Sequence, residues 1–201
     1  MEKLLELCRD VKGVVFDFGG VISFAPGAGW MVYDEAEKLG LSRGAYDEGF
    51  RKYRHLWDGG FIGGVEMYRR IFADNHLSAS DAQLQHLLAV DCEGWVHRLN
   101  PATLELMREL KRRGKKLGIL TNMSREFKDG FFMVRAGEYA ALADAIVVSG
   151  EHRLYKPEPP IYRLMEKEIG LSGHDLLFFD DNLPNVEGAV RCGWQAALYV
   201  S

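Results

Sequence analysis

Four short stretches place chemistry-bearing residues where an apolar run ends. Asp17 closes VVFDF and is followed at once by Gly19-Gly20. Thr121-Asn122 closes KLGILTN, Asp180-Asp181-Asn182 closes LLFFDDN, and Lys156 stands in RLYKPEPPIY just ahead of a helical pattern. That set suits phosphoryl transfer. A carboxylate can attack phosphorus and form an acyl-phosphate, splitting one very slow hydrolysis into two faster steps. Phosphate-monoester hydrolysis needs up to ~10²¹-fold acceleration, and most of it must come from positioning and charge neutralisation. Aspartates cannot approach an anionic phosphate without a cation between them. Mg²⁺ suits carboxylates and keeps water and substrate oxygens in its octahedron. Lys156 can neutralise both the nucleophile and the phosphoryl oxygens, while Thr121 and Asn122, with nearby backbone N–H groups, can donate to the transferring group. Singly, each residue has an ordinary use as a cap, a solvated turn or an Asx turn. Their occurrence together, in order and each at a strand end, carries the reading.

The elements that must position them are legible. Continuous apolar runs at GVVFDF (13–18), KLGILT (116–121), AIVVS (145–149), LLFFD (176–180) and QAALYV (195–200) fit strands buried on both faces of a parallel sheet. Helical patterns with clear stops alternate with them from about residue 100. Asn100-Pro101 opens TLELMRELKRR before Gly114, IYRLMEKEIG ends on Gly170, and PNVEGAVRCG ends on Gly193. This alternation predicts an α/β fold, a doubly wound Rossmann-like parallel sheet, whose ligands bind beyond the carboxyl ends of the strands.

Nearly 100 residues separate the first strand from the second. The stretch from Phe24 to Leu99 reads as mostly helical (MVYDEAEKLG, GAYDEGFRKYRHLW, GVEMYRRIFADNHL, DAQLQHLLAVDC), with the glycine-rich break DGGFIGG at 58–64. It predicts a small helical domain, residues 24–99, inserted after the first strand of a core formed by residues 1–23 and 100–201. In RKYRHLWDGGF, Arg51, Arg54, His55 and Trp57 could face a substrate, although solvated arginines and a packed tryptophan are the ordinary outcome. His152 and Arg153 read as surface residues.

The 201 residues can bury a substantial core. A net charge of −4 offers no field for nucleic acid or an anionic membrane, so an anionic substrate needs a local site. Cys8, Cys92 and Cys192 show neither zinc spacing nor a disulfide framework. No run approaches the ~18 apolar residues of a membrane helix, and MEKLLELCRD is too charged for a signal peptide. The expected setting is the cytoplasm, and the expected state a monomer or homodimer.

The sequence resembles the haloacid dehalogenase superfamily of phosphatases. Its four motifs are matched by FDFGGV (16–21), ILTNMS (119–124), Lys156 in YKPEPPIY (155–162) and FFDDNLPNVEGA (178–189), and the insertion looks like the family's type-1 helical cap. The nearest subgroup is the bacterial α-D-glucose-1-phosphate phosphatase type. The resemblance implies Asp17 as nucleophile and Mg²⁺ ligand, with Gly19 giving the metal a backbone carbonyl. It implies Asp181 as direct ligand, Asp180 in or next to the shell through water, and Asn185 orienting the cluster. Thr121, Asn122 and Lys156 would bind the phosphoryl group of a small phosphorylated metabolite, with a sugar phosphate the favoured substrate.

One position departs from the pattern. Gly19 stands where the family usually has a second aspartate, the general acid, whose assistance is typically worth about 10²–10⁴-fold. Two remedies stay open: a leaving group that needs little protonation, such as an anomeric hydroxyl, or another donor, with His55, Asp58 and Tyr33 as candidates. The alternative function is a catalytically impaired binding or regulatory protein on the same fold. Carbon–halogen hydrolysis is a third; in that branch the fourth motif typically lacks the acid pair found here.

Overall fold

The computed structural model describes residues 2–25 and 30–200. Five strands form one sheet: β1 (Gly13–Phe16), β2 (Lys116–Thr121), β3 (Ala145–Val148), β4 (Leu176–Asp180) and β5 (Gln195–Leu198), in the order β3-β2-β1-β4-β5, all parallel. β1 lies at the centre and β2 and β4 flank it, so the chain reverses its direction of winding at β1 and the three strand ends open on one crevice. Val14 and Phe16 enter one apolar cluster and Val15 the other, while Leu120 and Phe178 join Val15 on the second face. Burial on both faces is why these strands read as unbroken apolar runs.

A short helix α1 (Glu2–Leu7) precedes the sheet. Among the described residues, four helices lie between β1 and the Asn100 cap: α2 (Met31–Lys38), α3 (Arg43–Asp58), α4 (Gly64–Asp74) and α5 (Asp81–Val96). Ser42 caps α3 by accepting from Ala45 N, and Ser80 and Gln83 form a capping box on α5. Then α6 (Pro101–Arg112) starts from the Asn100 cap, as its sequence predicts. After β2 come the short helices α7 (Arg125–Phe127), α8 (Met133–Arg135) and α9 (Gly137–Leu142), and after β3 the single turn α10 (Ser149–His152). α11 (Pro159–Ile169) and α12 (Leu183–Arg191) complete the core layers. Gly114, Gly170 and Gly193 all take positive φ after their helices.

The helical segment meets the sheet through two chain crossings laid side by side. Phe24 N donates to Arg98 O and Asn100 N to Ile22 O, with an antiparallel bridge between Ser23 and Leu99. The glycine-rich stretch is more than a break between α3 and α4. A side chain at Gly59 would overlap Tyr155, and one at Gly60 would press on Gly150 O, so these glycines let the helices dock closely on the core loops. Residues 26–29 of the predicted helical domain lie outside the described residues. Three strand limits differ from the predicted ones: β3 ends at Val148, one residue early, where α10 begins at Ser149, and β1 and β5 are also shorter. β1 stops at Phe16 because the chain then curls around Phe18, whose carbonyl accepts from Ile22 N and Ser23 N. β5 stops at Leu198.

Candidate active site

Three carboxylates from the ends of β1 and β4 meet one lysine. Lys156, expected at a strand end as well, comes instead from the loop between α10 and α11, well past the end of β3 at Val148. Lys156 Nζ is 2.9 Å from Asp17 Oδ1 and 2.6 Å from Asp180 Oδ2, with its side chain 1 % exposed. Asp180 is saturated: Asn185 Nδ2 reaches both of its oxygens at 3.1 Å and Asn182 N donates to Oδ1 at 2.8 Å. Asp17 Oδ1 also accepts from Phe18 N at 2.7 Å, whereas Oδ2 takes no hydrogen bond from the described residues. Asp181 is the solvent-facing member, and Gly20 shows why. It sits at φ +71°, and a Cβ there would overlap the Asp181 carboxylate. Gly20 therefore has to be glycine, for φ and for space. Gly19 does not have a positive φ, but a Cβ built on it would lie 3.3 Å from Trp95 Cζ3.

Charge and desolvation conflict here. Burial, then the charge of Asp180, pushes Asp17 up to about 7 despite Lys156. Burial and Asp180 likewise raise Asp181. Burial opposes the charge on Lys156, yet Asp17 and Asp180 outweigh it and hold the ammonium above its ordinary value. One lysine cannot balance three carboxylates, each of which has an oxygen within 4.8 Å of the others'. This hard-oxygen, charge-surplus donor set fits Mg²⁺. Asp17, Asp181 and Gly19, whose carbonyl accepts no hydrogen bond from the described residues, are the groups that could hold it directly. Asp180, expected in or next to the shell, already accepts four hydrogen bonds and adds charge beside it.

These residues face a cavity of about 320 Å³, shared by Asp17, Gly19, Thr121, Asn122, Lys156, Asp181 and Asn185. The Thr121 hydroxyl makes no hydrogen bond with the described residues, so it is available to a ligand. Asn122 is committed differently from its expected use: its amide clamps the lysine loop, donating to Lys156 O and accepting from Lys156 N, both at 2.9 Å. It touches the cavity but spends its side chain on positioning Lys156.

Of the residues singled out on the helical segment, Arg54 and Asp58 line the cavity and Arg51 and His55 are exposed. Trp57 is buried, its indole donating to Glu126 Oε2 at 2.9 Å beside Gly64 N at the same distance. Tyr33 is bonded to Asp47 and does not line the cavity. Among the three candidate proton donors only Asp58 reaches the site, and there Arg54 Nε holds it at 2.6 Å. His152 and Arg153 are exposed, as expected. The sequence reading did not single out Phe50, Trp95 or Phe127 as cavity walls, nor Glu126 as a tie between helices and core. Scattered aromatics on a helix carry no motif, although Phe50 directly precedes RKYRHLWDGGF and Glu126-Phe127 lie just past the Thr-Asn motif.

Comparison with known proteins adds the lineage. The model of the haloacid dehalogenase-like hydrolase family matches residues 11–193. A phosphatase of Mycobacterium tuberculosis is 33% identical over 98 residues, covering 49% of this chain and 45% of that protein. Haloacetate dehalogenase H-2 of Moraxella is 31% identical over 118 residues, covering 54% and 52%. The chain thus spans about half the length of these curated relatives. In structure it resembles a HAD family enzyme of Bacteroides thetaiotaomicron solved with magnesium (TM-score 0.73, 20% identity, 96% and 94% of the two chains). It also resembles L-2-haloacid dehalogenase from Xanthobacter autotrophicus (TM-score 0.68, 22% identity, 94% and 77%).

Proposed function

The chain belongs to the haloacid dehalogenase-like hydrolase family, and we propose that it is a Mg²⁺-dependent phosphatase acting on a small phosphorylated metabolite, a sugar phosphate such as glucose 1-phosphate. The observation that carries this reading is the surplus of carboxylate over ammonium at the cavity, next to an unbonded threonine hydroxyl. The phosphatase among the curated relatives supports it, as does a fold shared with an enzyme crystallised with magnesium and inorganic phosphate. We assign catalysis to a core of residues 1–23 and 100–201, and substrate selection to a cap of residues 24–99.

In this mechanism Lys156 and Phe18 N–H hold Asp17 through Oδ1. A carboxylate oxygen of Asp17 attacks phosphorus; the new P–O bond forms as the bond to the leaving oxygen breaks, giving an aspartyl-phosphate. The third Nζ proton of Lys156 and the Thr121 hydroxyl receive phosphoryl oxygens. Water then attacks phosphorus, releasing inorganic phosphate and restoring the carboxylate. Asp17, Asp181 and the Gly19 carbonyl, with Asp180 beside them, are the groups that would hold Mg²⁺, which would supply the positive charge that lets carboxylate and phosphate meet. Asn185 keeps Asp180 oriented. Gly19 offers no proton, and Asp58 is tied to Arg54, so the leaving oxygen must draw its proton from water. An anomeric hydroxyl, more acidic than an ordinary alcohol, suits that constraint.

The test is p-nitrophenyl phosphate hydrolysis, whose leaving group needs no acid. Mg²⁺-dependent turnover is expected, with Asp17→Asn losing on the order of 10⁴-fold or more. Wild-type turnover no greater than that of the variant, or independent of Mg²⁺, overturns the enzyme reading in favour of a binding protein. Two curated relatives are dehalogenases, so 2-chloropropionate belongs in the same assay. The Asp180-Asp181 pair leads us to expect no chloride release.

A further inference from the structure

Where α3 lines the cavity, the walls are chemically unlike those at the strand ends. Arg54 and Asp58, one turn apart on α3, both line it, with side chains 20% and 11% exposed. The guanidinium carbon of Arg54 lies 4.9 Å from the ring centroids of Phe50 and Trp57 and 5.5 Å from that of Trp95, three faces that fix its place. Arg54 spends only Nε on protein, donating to Asp58 Oδ1 at 2.6 Å. Its two terminal nitrogens, and Asp58 Oδ2, make no hydrogen bond with the described residues. Largely buried donors and acceptors seldom go without partners, and here both kinds lie side by side on a cavity wall bounded by Phe50 and Trp95.

We propose that Arg54 and Asp58 are the specificity pair for the leaving group and select an uncharged polyhydroxy one while rejecting one that carries a second anion. This rests on the phosphatase reading above and adds what the site discriminates against. A hydroxyl can accept from the guanidinium and donate to the carboxylate together, so a diol completes both unused groups. The C–H face of a sugar ring suits the aromatic walls. The charge balance excludes the obvious competitor, a second phosphate or a carboxylate on Arg54. That guanidinium already carries Asp58 and, within electrostatic reach, the fully buried Asp91, which accepts from Tyr68 at 2.7 Å. Two carboxylates on one guanidinium leave no positive charge over for another anion, and like charges across a dry contact cost several-fold to many-fold in affinity. The cavity volume, about 320 Å³, is at the small end of ligand sites and accommodates one ring.

The experiment compares kcat/KM for glucose 1-phosphate and glucose 1,6-bisphosphate, which share the same scissile bond, alongside p-nitrophenyl phosphate. Wild type is expected to favour the monophosphate by about tenfold or more. Asp58→Asn, by removing one carboxylate, is expected to shrink that ratio by raising the bisphosphate's kcat/KM relative to the monophosphate's. Arg54→Lys keeps the charge and loses the fork; its loss should fall on KM for glucose 1-phosphate more than on kcat. If p-nitrophenyl phosphate shows Mg²⁺-dependent turnover but the two hexose phosphates are used equally, or both go unused, this inference falls while the phosphatase reading stands. Equal losses on both sugars in Asp58→Asn also overturn it, since that is what a merely structural pair would give. If Asp58→Asn does not fold, the wild-type ratio and the KM split of Arg54→Lys decide alone.

Discussion

Two buried ionic clusters neighbour Trp95, and both hold more carboxylates than cations. At the strand ends Lys156 serves Asp17, Asp180 and Asp181; on the helices Arg54 serves Asp58 and Asp91. They dispose of the surplus differently. In the first, Asp180 is fully bonded and the excess charge falls on Asp17 and Asp181, which face the cavity, so a divalent cation can neutralise it. In the second, the excess falls on Asp91, which is fully buried between helices. It accepts from Tyr68 at 2.7 Å, Tyr68 is 3.1 Å from Tyr46, and Asp91 Oδ1 makes no close hydrogen bond among the described residues, with the Trp95 indole its other polar influence of that kind. Walled in, that carboxylate can be relieved only by a proton. Surplus charge at a solvent-reachable place is a ligand site; the same surplus in a sealed place is a stability cost.

Lys156→Met should break the first cluster and give the largest effect. It strips the cation from two buried carboxylates at once, so denaturant unfolding should show a loss of about 3–5 kcal/mol, and turnover should fall by about 10³-fold. In the second cluster, by contrast, removing the surplus carboxylate by Asp91→Asn should leave Mg²⁺-dependent turnover measurable. Comparable catalytic losses from both would mean that the two clusters are not functionally distinct.

Metal addition separates them next. Mg²⁺ at 100 times its Kd should stabilise the fold by about 2.7 kcal/mol, and chelation should reverse it. Asp181→Asn should cut that increment, since Asp181 is the exposed member of the set, whereas Asp91→Asn should leave it intact. An Mg²⁺ increment unaffected by Asp181→Asn would place the metal elsewhere.

The third prediction is a gain. Burial pushes Asp91 up to about 6, partly offset by Arg54 and the Tyr68 hydrogen bond. A folded-state value above the unfolded one means that the native state holds the proton more tightly. The contribution is favourable at acid pH and is lost as pH rises from about 4 through about 6. Above that window the cost approaches about 3 kcal/mol. Asp91→Asn, which can still accept from Tyr68, should therefore gain about 1–3 kcal/mol near pH 7.5, with the difference from wild type shrinking toward pH 4. A gain that is flat with pH would show that ionisation of Asp91 is not its source.

The strand-end cluster was far easier to foresee than its partner. Asp17, Thr121 and Asp180 each close an apolar run, and parallel strands deliver such residues to one edge whatever the details of packing. Lys156 announces itself only as a lysine ahead of the Pro-rich start of α11. β2 and β4 match their predicted limits, and the Asn100 cap and the Gly114, Gly170 and Gly193 stops fall as read. The second cluster depends on how α3 meets α4 and α5, which periodicity alone does not set. Arg54 and Asp58 at i, i+4 read equally well as a solvated surface pair. Asp91 gave one local hint, a lone acid inside LLAVDC. The short helices between Arg125 and Leu142 had no clear period to betray them.

The smallest effect is expected at Gly19, and Trp95 decides it. Trp95 is near Gly19 beside the first cluster and near the Arg54 guanidinium of the second. Restoring the second acid by Gly19→Asp puts a Cβ 3.3 Å from Trp95 Cζ3, tighter than most real contacts, so the indole must yield. Since Gly19 has ordinary φ, the cost is packing alone, about 1 kcal/mol or somewhat more. The single variant should therefore bring little gain on glycerol 3-phosphate, whose alkoxide needs a proton. Gly19→Asp combined with Trp95→Leu gives the carboxyl room, and its rate on glycerol 3-phosphate relative to p-nitrophenyl phosphate should rise by about tenfold, below the 10²–10⁴-fold of an evolved general acid. The same Trp95→Leu removes one of the faces that fix Arg54, so selectivity for glucose 1-phosphate over its 1,6-bisphosphate should fall together with that rise. A double variant that gains on the alkyl phosphate and keeps the sugar selectivity would show that Trp95 does not link the two clusters.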